Sequence, residues 1–159
     1  MSLDTLPLEE LLVKALSEQE LHISFAESCT AGLAAARLVN VSGASSVFDA
    51  SFVTYANEAK IKFVGVSPDT LKKHGAVSES TAREMAKGCA RAASAEVGVG
   101  ISGIAGPLGG TPEKPVGTVC FGFSTPSGTR SATAHFDGDR ESVRAQAVDF
   151  AFRELLKML

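Results

Sequence analysis

Ser28, Cys29, Tyr55 and Lys60 are the residues of this chain whose types and spacing suit nucleophilic chemistry. Ser28 and Cys29 stand in Phe25-Ala26-Glu27-Ser28-Cys29-Thr30-Ala31-Gly32, where an apolar run (Leu21 to Ala26) gives way to a small-residue run (Ala31 to Val39). Strand, sharp polar turn and helix in succession present a side chain at the carboxyl edge of a sheet. The first helical turn also leaves N–H groups free to stabilise a developing anion. Either residue is placed to act as a nucleophile. A serine or threonine before a helix also serves as an N-cap, and this stretch alone does not separate the two roles.

A serine needs a base to take its proton. The histidines do not offer one: His22 falls on a strand, His74 at a helix end and His135 at a strand end, in no recognisable pairing. A lysine serves if burial or neighbouring cations keep it neutral, and a tyrosine can relay the proton or orient the amine. Tyr55-Ala56-Asn57-Glu58-Ala59-Lys60 supplies both types, although spacing alone equally describes a solvated helix lysine like Lys62. The rival nucleophile is Cys29, whose thiol at a helix N-terminus would have a lowered pKa.

Two further stretches bear on binding. Ser102 to Pro115 is a long loop with four glycines (Gly103, Gly106, Gly109, Gly110) and three prolines. Glycines let consecutive N–H groups cradle an anion, though such a loop is also a rigid connector. It lacks the Gly-Lys-Ser/Thr ending of a phosphate-binding P-loop. In Asp137-Gly138-Asp139-Arg140, Asp139 caps the following helix. Arg140 either clamps a phosphate or carboxylate, or pairs with Asp137 or Glu141.

The elements that must position these residues follow from periodicity. Helices are predicted over 7–18, with Leu8, Leu11, Leu12, Ala15 and Leu16 as one stripe, and over 30–40, 57–63 and 68–73. Another opens at the N-cap Ser78 and buries Ala82, Met85, Ala86, Cys89, Ala90 and Ala93; a last one spans 140–159. Strands are predicted over 22–26, 47–55 and 97–101, with 116–124 and 129–136 paired across Pro126-Ser127-Gly128. This order implies a single α/β domain over 1–159: a three-layer α/β/α sandwich on a mixed sheet of about five strands.

Composition narrows the function. Hydrophobic residues make up 45% and charged residues 21%, ordinary for a globular domain. A net charge of −3 with no basic run longer than two residues argues against broad nucleic-acid binding. Three distant cysteines (Cys29, Cys89, Cys120) form no metal-type pair or disulfide framework, which points to the cytoplasm. No stretch is apolar enough to span a membrane, and the acidic Asp4, Glu9 and Glu10 do not suit a signal peptide.

Ala26-Glu27-Ser28-Cys29-Thr30, Thr54-Tyr55 with Asn57-Glu58-Ala59-Lys60, His74-Gly75-Ala76-Val77-Ser78, Ser102-Gly103-Ile104-Ala105-Gly106-Pro107, Glu113-Lys114-Pro115-Val116-Gly117-Thr118 and Gly138-Asp139-Arg140 together resemble the C-terminal domain of the CinA family, competence/damage-inducible proteins. The resemblance runs through nearly the whole chain. It implies an α/β/α fold, a homodimer or larger assembly, and amidase activity without metal or cofactor. The substrate would be a small nucleotide: nicotinamide mononucleotide, hydrolysed to nicotinate mononucleotide and ammonia. It makes Ser28 the nucleophile, Lys60 the general base and Tyr55 its hydrogen-bonded partner. Cys29 and Thr30 would supply oxyanion N–H groups. Ser102, the Gly103–Gly110 loop with Ala105, Gly106 and Gly109, and Arg140 would hold the ribose phosphate.

The chain departs from the family pattern at Ala31, where glycine is common, at Leu108, where an acidic residue is common, and at Ala56, where serine is common. At 159 residues it has no room for the N-terminal hydrolase domain of the larger family proteins. The alternative function is a catalytically silent module that binds a nucleotide or a partner with the same loop and arginine.

Overall fold

The computed structural model describes residues 5–159; Asp4, counted above among the N-terminal acids, lies outside them. In chain order the elements are α1 (Leu8–Glu18), β1 (Ile23–Glu27), α2 (Leu33–Leu38), β2 (Phe52–Val53), α3 (Asn57–Val64), α4 (Pro68–His74), α5 (Glu79–Ala92), β3 (Val97–Gly103), β4 (Thr118–Thr125), β5 (Gly128–His135) and α6 (Arg140–Leu156). One five-stranded sheet has the order β2-β1-β3-β4-β5. β1 runs parallel to β2 and β3, whereas β3–β4 and β4–β5 pair antiparallel, giving the expected mixed sheet. Glu27, the last residue of β1, sits opposite both Val53 and Ile101.

Alternation along the strands sorts the two faces. Ile23 and Phe25 of β1, Val99 of β3 and Phe121 of β4 join Leu12, Leu16, Phe152 and Leu155 in the larger core, beneath α1, α2 and α6. The rings of Phe25 and Phe152 are 6.1 Å apart, and those of Phe121 and Phe150 are 4.6 Å apart, so this core is built from interlocking side chains. Arg37 of α2 pairs with Glu9 of α1 and Asp149 of α6, tying the three helices together.

The opposite face works by removing side chains. A Cβ on Gly98 would stand 1.9 Å from the carbonyl oxygen of Ala86, and one on Gly122 would stand 2.1 Å from that of Ala82, so the backbone of α5 lies directly on β3 and β4. Likewise, a Cβ on Gly88 would meet the carbonyl of Val64 at 1.6 Å, bringing α3 against α5. Gly98, Gly100 and Gly103 fall at the spacing of a dinucleotide-binding fingerprint, yet they lie inside β3 rather than at a strand-to-helix turn. Ala82, Met85, Ala86, Cys89 and Ala90 are buried on α5 as the periodicity predicts, whereas Ala93 is only partly buried, and Ser78 caps the helix by accepting from the Thr81 N–H.

Two expectations are corrected. The β-forming run 47–55 yields a strand of only two residues, because Ala44–Ser46 is a 3-10 turn and Phe48 makes a single bridge to Ile23. Val47 is buried as core rather than used in a ladder. The helix predicted over 30–40 begins only at Leu33, because Ala31 (φ 46°) and Gly32 (φ 98°) are both left-handed. No helix among the described residues is long and apolar enough to cross a membrane.

Candidate active site

β1 is where the sheet divides. From β1 the chain reaches β2 through α2 on one face; from β2 it reaches β3 through α5 on the other. Strands that diverge in this way open a crevice at their carboxyl ends. Ser28 is the first residue beyond β1 and is tied to both neighbours. Its N–H donates to the Ile101 carbonyl (2.9 Å), and the Thr54 N–H donates to the Glu27 carbonyl (2.9 Å). The Ala31 N–H donates back to the Ser28 carbonyl (3.1 Å), closing a tight turn.

The capping role open to Ser28 belongs instead to Glu27. Its carboxyl group is 1% exposed and accepts from the N–H groups of Ala34 (2.8 Å) and Ala35 (3.2 Å) in α2. Glu27 was not legible as functional, because a glutamate ending an apolar strand carries no signature of what it caps seven residues on. Its cap leaves the Ser28 hydroxyl free of the helix; that hydroxyl donates to the Tyr55 carbonyl at 3.4 Å, a long bond beside Lys60. Among the described residues, the N–H groups of Cys29 and Thr30 take no main-chain partner.

Lys60 lies in α3, yet it is 1% exposed. Its Nζ is 3.1 Å from Ser28 Oγ, 2.8 Å from the Thr54 carbonyl and 3.1 Å from the Tyr55 carbonyl. Among the described residues, no carboxylate comes within ion-pair distance of it. Burial therefore pushes its pKa below the ordinary 10.5. The one influence acting the other way is the Cys29 thiol, which burial itself pushes up to about 11. A thiol that stays protonated at neutral pH puts no negative charge beside the amine. The N-terminal half of α3 disfavours a cation as well. As a neutral amine, Lys60 can donate to the two carbonyls and turn its lone pair to the Ser28 proton. As an ammonium it donates to all three. The same heavy-atom positions serve both states.

The tyrosine is joined to Lys60 differently from expectation. Its main-chain carbonyl touches Lys60, while its side chain is exposed and its hydroxyl accepts from Arg140 Nη2 at 3.2 Å. Arg140 Nη1 donates to the Gly106 carbonyl at 2.9 Å. Asp139 caps α6 through the Ser142 N–H (2.8 Å), which sets Arg140 at the helix start. The premise of a low-pKa Cys29 fails: Cys29 precedes the helix, is 6% exposed, and is raised by burial.

A cavity of about 270 Å³ joins these groups except Lys60, which lies behind Ser28; it is lined by Ser28, Cys29, Tyr55, Gly103, Ile104, Ala105, Gly106, Leu108, Gly109 and Arg140. Three of the expected binding residues lie outside the lining. Thr30 is fully buried, Ser102 is 1% exposed within β3, and Gly110 packs against Val116. Leu108 stands at the rim, 85% exposed. Arg140 is the only charged side chain in the lining, so the cleft suits an anion.

The model of the CinA C-terminal domain matches residues 5–159. The chain belongs to the CinA C-terminal domain family. It is 49% identical to a CinA-like protein of Kosmotoga olearia, over 96% of this chain and 38% of that protein. With a CinA-like protein of Chlorobaculum tepidum it shares 48% identity, over 96% of this chain and 37% of that protein. The chain thus spans less than two fifths of the length of these curated relatives. Among solved structures, a CinA superfamily protein of Escherichia coli superposes with a TM-score of 0.91 at 38% identity, covering 100% of this chain and 94% of that one. A competence damage-inducible protein A of Klebsiella pneumoniae gives a TM-score of 0.91 at 36% identity, covering 94% and 93%.

Proposed function

We propose that this CinA-family domain is an amidohydrolase that cleaves the carboxamide of nicotinamide mononucleotide through a serine–lysine pair. The observation that carries the proposal is the 3.1 Å contact between Ser28 Oγ, which lines an anion-suited cleft, and a buried Lys60 behind it, outside the lining and with no ion-pair partner among the described residues. Ser28 gives its proton to Lys60 as Oγ bonds to the carboxamide carbon. The Cys29 N–H, which takes no main-chain partner and belongs to a residue lining the cleft, would hold the oxyanion. Lys60 returns the proton to the departing nitrogen, the C–N bond breaks and ammonia leaves. Water then attacks the acyl-serine, giving its proton to Lys60; the ester C–Oγ bond breaks, Lys60 returns that proton to Ser28 Oγ, and nicotinate mononucleotide is released. Arg140 and the Gly103–Gly109 loop would take the phosphate end, with Tyr55 holding Arg140 through its hydroxyl.

The test is ammonia release from nicotinamide mononucleotide by the purified chain, beside Ser28→Ala and Cys29→Ala. Turnover in the wild type and in Cys29→Ala, abolished in Ser28→Ala, is the expected result. Turnover that survives Ser28→Ala refutes the assignment. A melting shift with the nucleotide but no ammonia favours the silent binding module.

A further inference from the structure

The two edges of the sheet are unequal. β2 offers two residues, whereas β5 is a regular strand of eight, with no neighbour on its outer side among the described residues. None of its residues is buried. Its pairing with β4 runs unbroken from Thr125 opposite Gly128 to Thr118 opposite His135. Proteins blunt such an edge with proline, lysine, a bulge or a covering segment. β5 reads Gly-Thr-Arg-Ser-Ala-Thr-Ala-His, with no proline, no lysine and no bulge.

The main chain of that edge is self-complementary. Along an antiparallel strand, alternate residues turn their N–H and C=O groups towards one neighbour and then towards the other side. Phe136, just past β5, donates its N–H to the Gly117 carbonyl, which precedes β4. Even-numbered residues of β5 therefore bond to β4, and Thr129, Ser131, Thr133 and His135 present their groups outward. Two copies of this edge, antiparallel about a two-fold axis at Ala132, set Thr129 against His135 and Ser131 against Thr133, in both directions. That register gives every outward residue a partner. A shift either way leaves Thr129 or His135 outside the pairing.

The side chains agree with the same register. On the α5 face, Ser131 Oγ and Thr133 Oγ1 donate to the two carboxylate oxygens of Glu79 at 2.7 and 2.8 Å, and Arg83 Nη1 donates to Ser131 Oγ at 2.6 Å. Glu79 and Arg83 stand one turn apart on α5, yet neither makes an ion pair among the described residues. With Ser131 opposite Thr133 of a second copy, each copy's Arg83 faces the other's Glu79, so the charges match on both sides of the axis. On the opposite face Ala132 meets itself and Ala134 meets Arg130, and the small side chains let the strands close.

We infer that β5 is a docking edge for a second copy of this chain, whose own β5 pairs with it antiparallel about Ala132, so that one sheet runs through both copies.

The test combines sedimentation equilibrium of the purified chain with oxidative cross-linking of added cysteines. At the axis the two Ala132 residues form a non-hydrogen-bonded pair with Cα atoms about 4.5 Å apart, within the span of a disulfide. Ala134 lies on the same face, about 14 Å from its counterpart in the second copy. The three native cysteines are buried and give little background. Wild type is expected to sediment as a dimer, and Ala132→Cys to cross-link into a covalent dimer while Ala134→Cys does not. Thr133→Pro deletes an outward N–H and spares the bonds to β4. Both copies lose that donor, so the dissociation constant should rise at least about tenfold. The two cysteine variants carry the comparison if the proline variant does not fold. A wild type that is monomeric at every concentration overturns the inference. So does a dimer that a folded Thr133→Pro leaves unchanged, or one in which Ala132→Cys cross-links no better than Ala134→Cys, because the copies then meet on another surface.

Discussion

Replacing Lys60 by methionine keeps the length and apolar stem of the side chain and deletes only the amine. That amine has three neighbours within 3.1 Å, and only one of them, Ser28 Oγ, takes part in the proposed reaction. The other two are carbonyls that hold the amine in line. Loss of a positioned general base costs about 10²- to 10⁴-fold in rate, or about 3–5 kcal/mol of barrier. Because substrate binding is assigned to Arg140 and the glycine loop, the loss should appear in kcat with little change in KM. In the wild type, kcat/KM should rise with pH as Lys60 loses its proton, on a limb displaced below the ordinary 10.5. Residual activity of Lys60→Met should lack that limb. Stability supplies a second readout. Since the folded pKa of Lys60 lies below its unfolded value, the unfolded chain binds more protons between the two, and stability rises with pH across that window. Cys29 and Cys89, pushed up to about 11 and about 12 by burial, oppose the trend once pH passes their ordinary 9.0, so the comparison belongs below that point. Urea midpoints of wild type and Lys60→Met at a series of pH values, with ammonia assays alongside, make the measurement. A rate loss under tenfold, or an ascending limb that persists without the amine, would refute a lysine base.

Three other substitutions separate roles that the geometry keeps apart. Tyr55→Phe removes the hydroxyl but not the carbonyl that touches Lys60, so kcat should stay within about tenfold while KM rises through the less constrained Arg140, as steady-state kinetics will show. Gly100→Ala would place a Cβ 2.3 Å from the Ala82 carbonyl and 2.8 Å from Met85 Cβ. It should cost about 1–3 kcal/mol in chemical denaturation, with little loss of activity in what remains folded. Ala31→Gly relieves a left-handed alanine at φ 46°, worth about 1–2 kcal/mol, and gives back about 0.5–1 kcal/mol in unfolded-chain entropy. A net gain of up to about 1 kcal/mol in the same assay is expected.

Much of the fold was legible because its signals are local. The stripe of α1, the caps Ser78 and Asp139, and the apolar run of β1 each sit within a few residues of what they determine. The start of α2 was misjudged because alanine favours a helix, while a distant constraint, the Glu27 carboxyl group reaching Ala34 and Ala35, sets where the helix can begin. The run 47–55 misled because β-branched and aromatic residues fit a core as readily as a ladder, and Val47 took the first option. In the site, Ser28 stood out as a nucleophile or an N-cap from its strand–turn–helix position, whereas Lys60 was distinguishable from a solvated helix lysine only by the family resemblance. Their contact spans thirty-two positions and depends on β2 ending beside β1. Likewise, the hydrogen bonds from Arg144 of α6 to the Cys29 and Thr30 carbonyls span more than a hundred positions and leave no trace in spacing.

The glycines beneath α5 make the domain mechanically lopsided. At Gly98 and Gly122 the backbone of α5 rests on the backbone of the sheet, so a side chain added there must move a whole helix or strand, although Met85, Cys89, Val64 and Val66 pack as side chains beside those contacts. On the α6 side, Phe25, Phe121, Phe150 and Phe152 share the load through side chains that can repack around a lost or added methyl group. Sequence drift is thus channelled to one half of the molecule, while the other acts as a stiff keel behind the cleft. An engineer seeking new substrates has room to work on the rim at Leu108 and on the α6 face, and little on the keel.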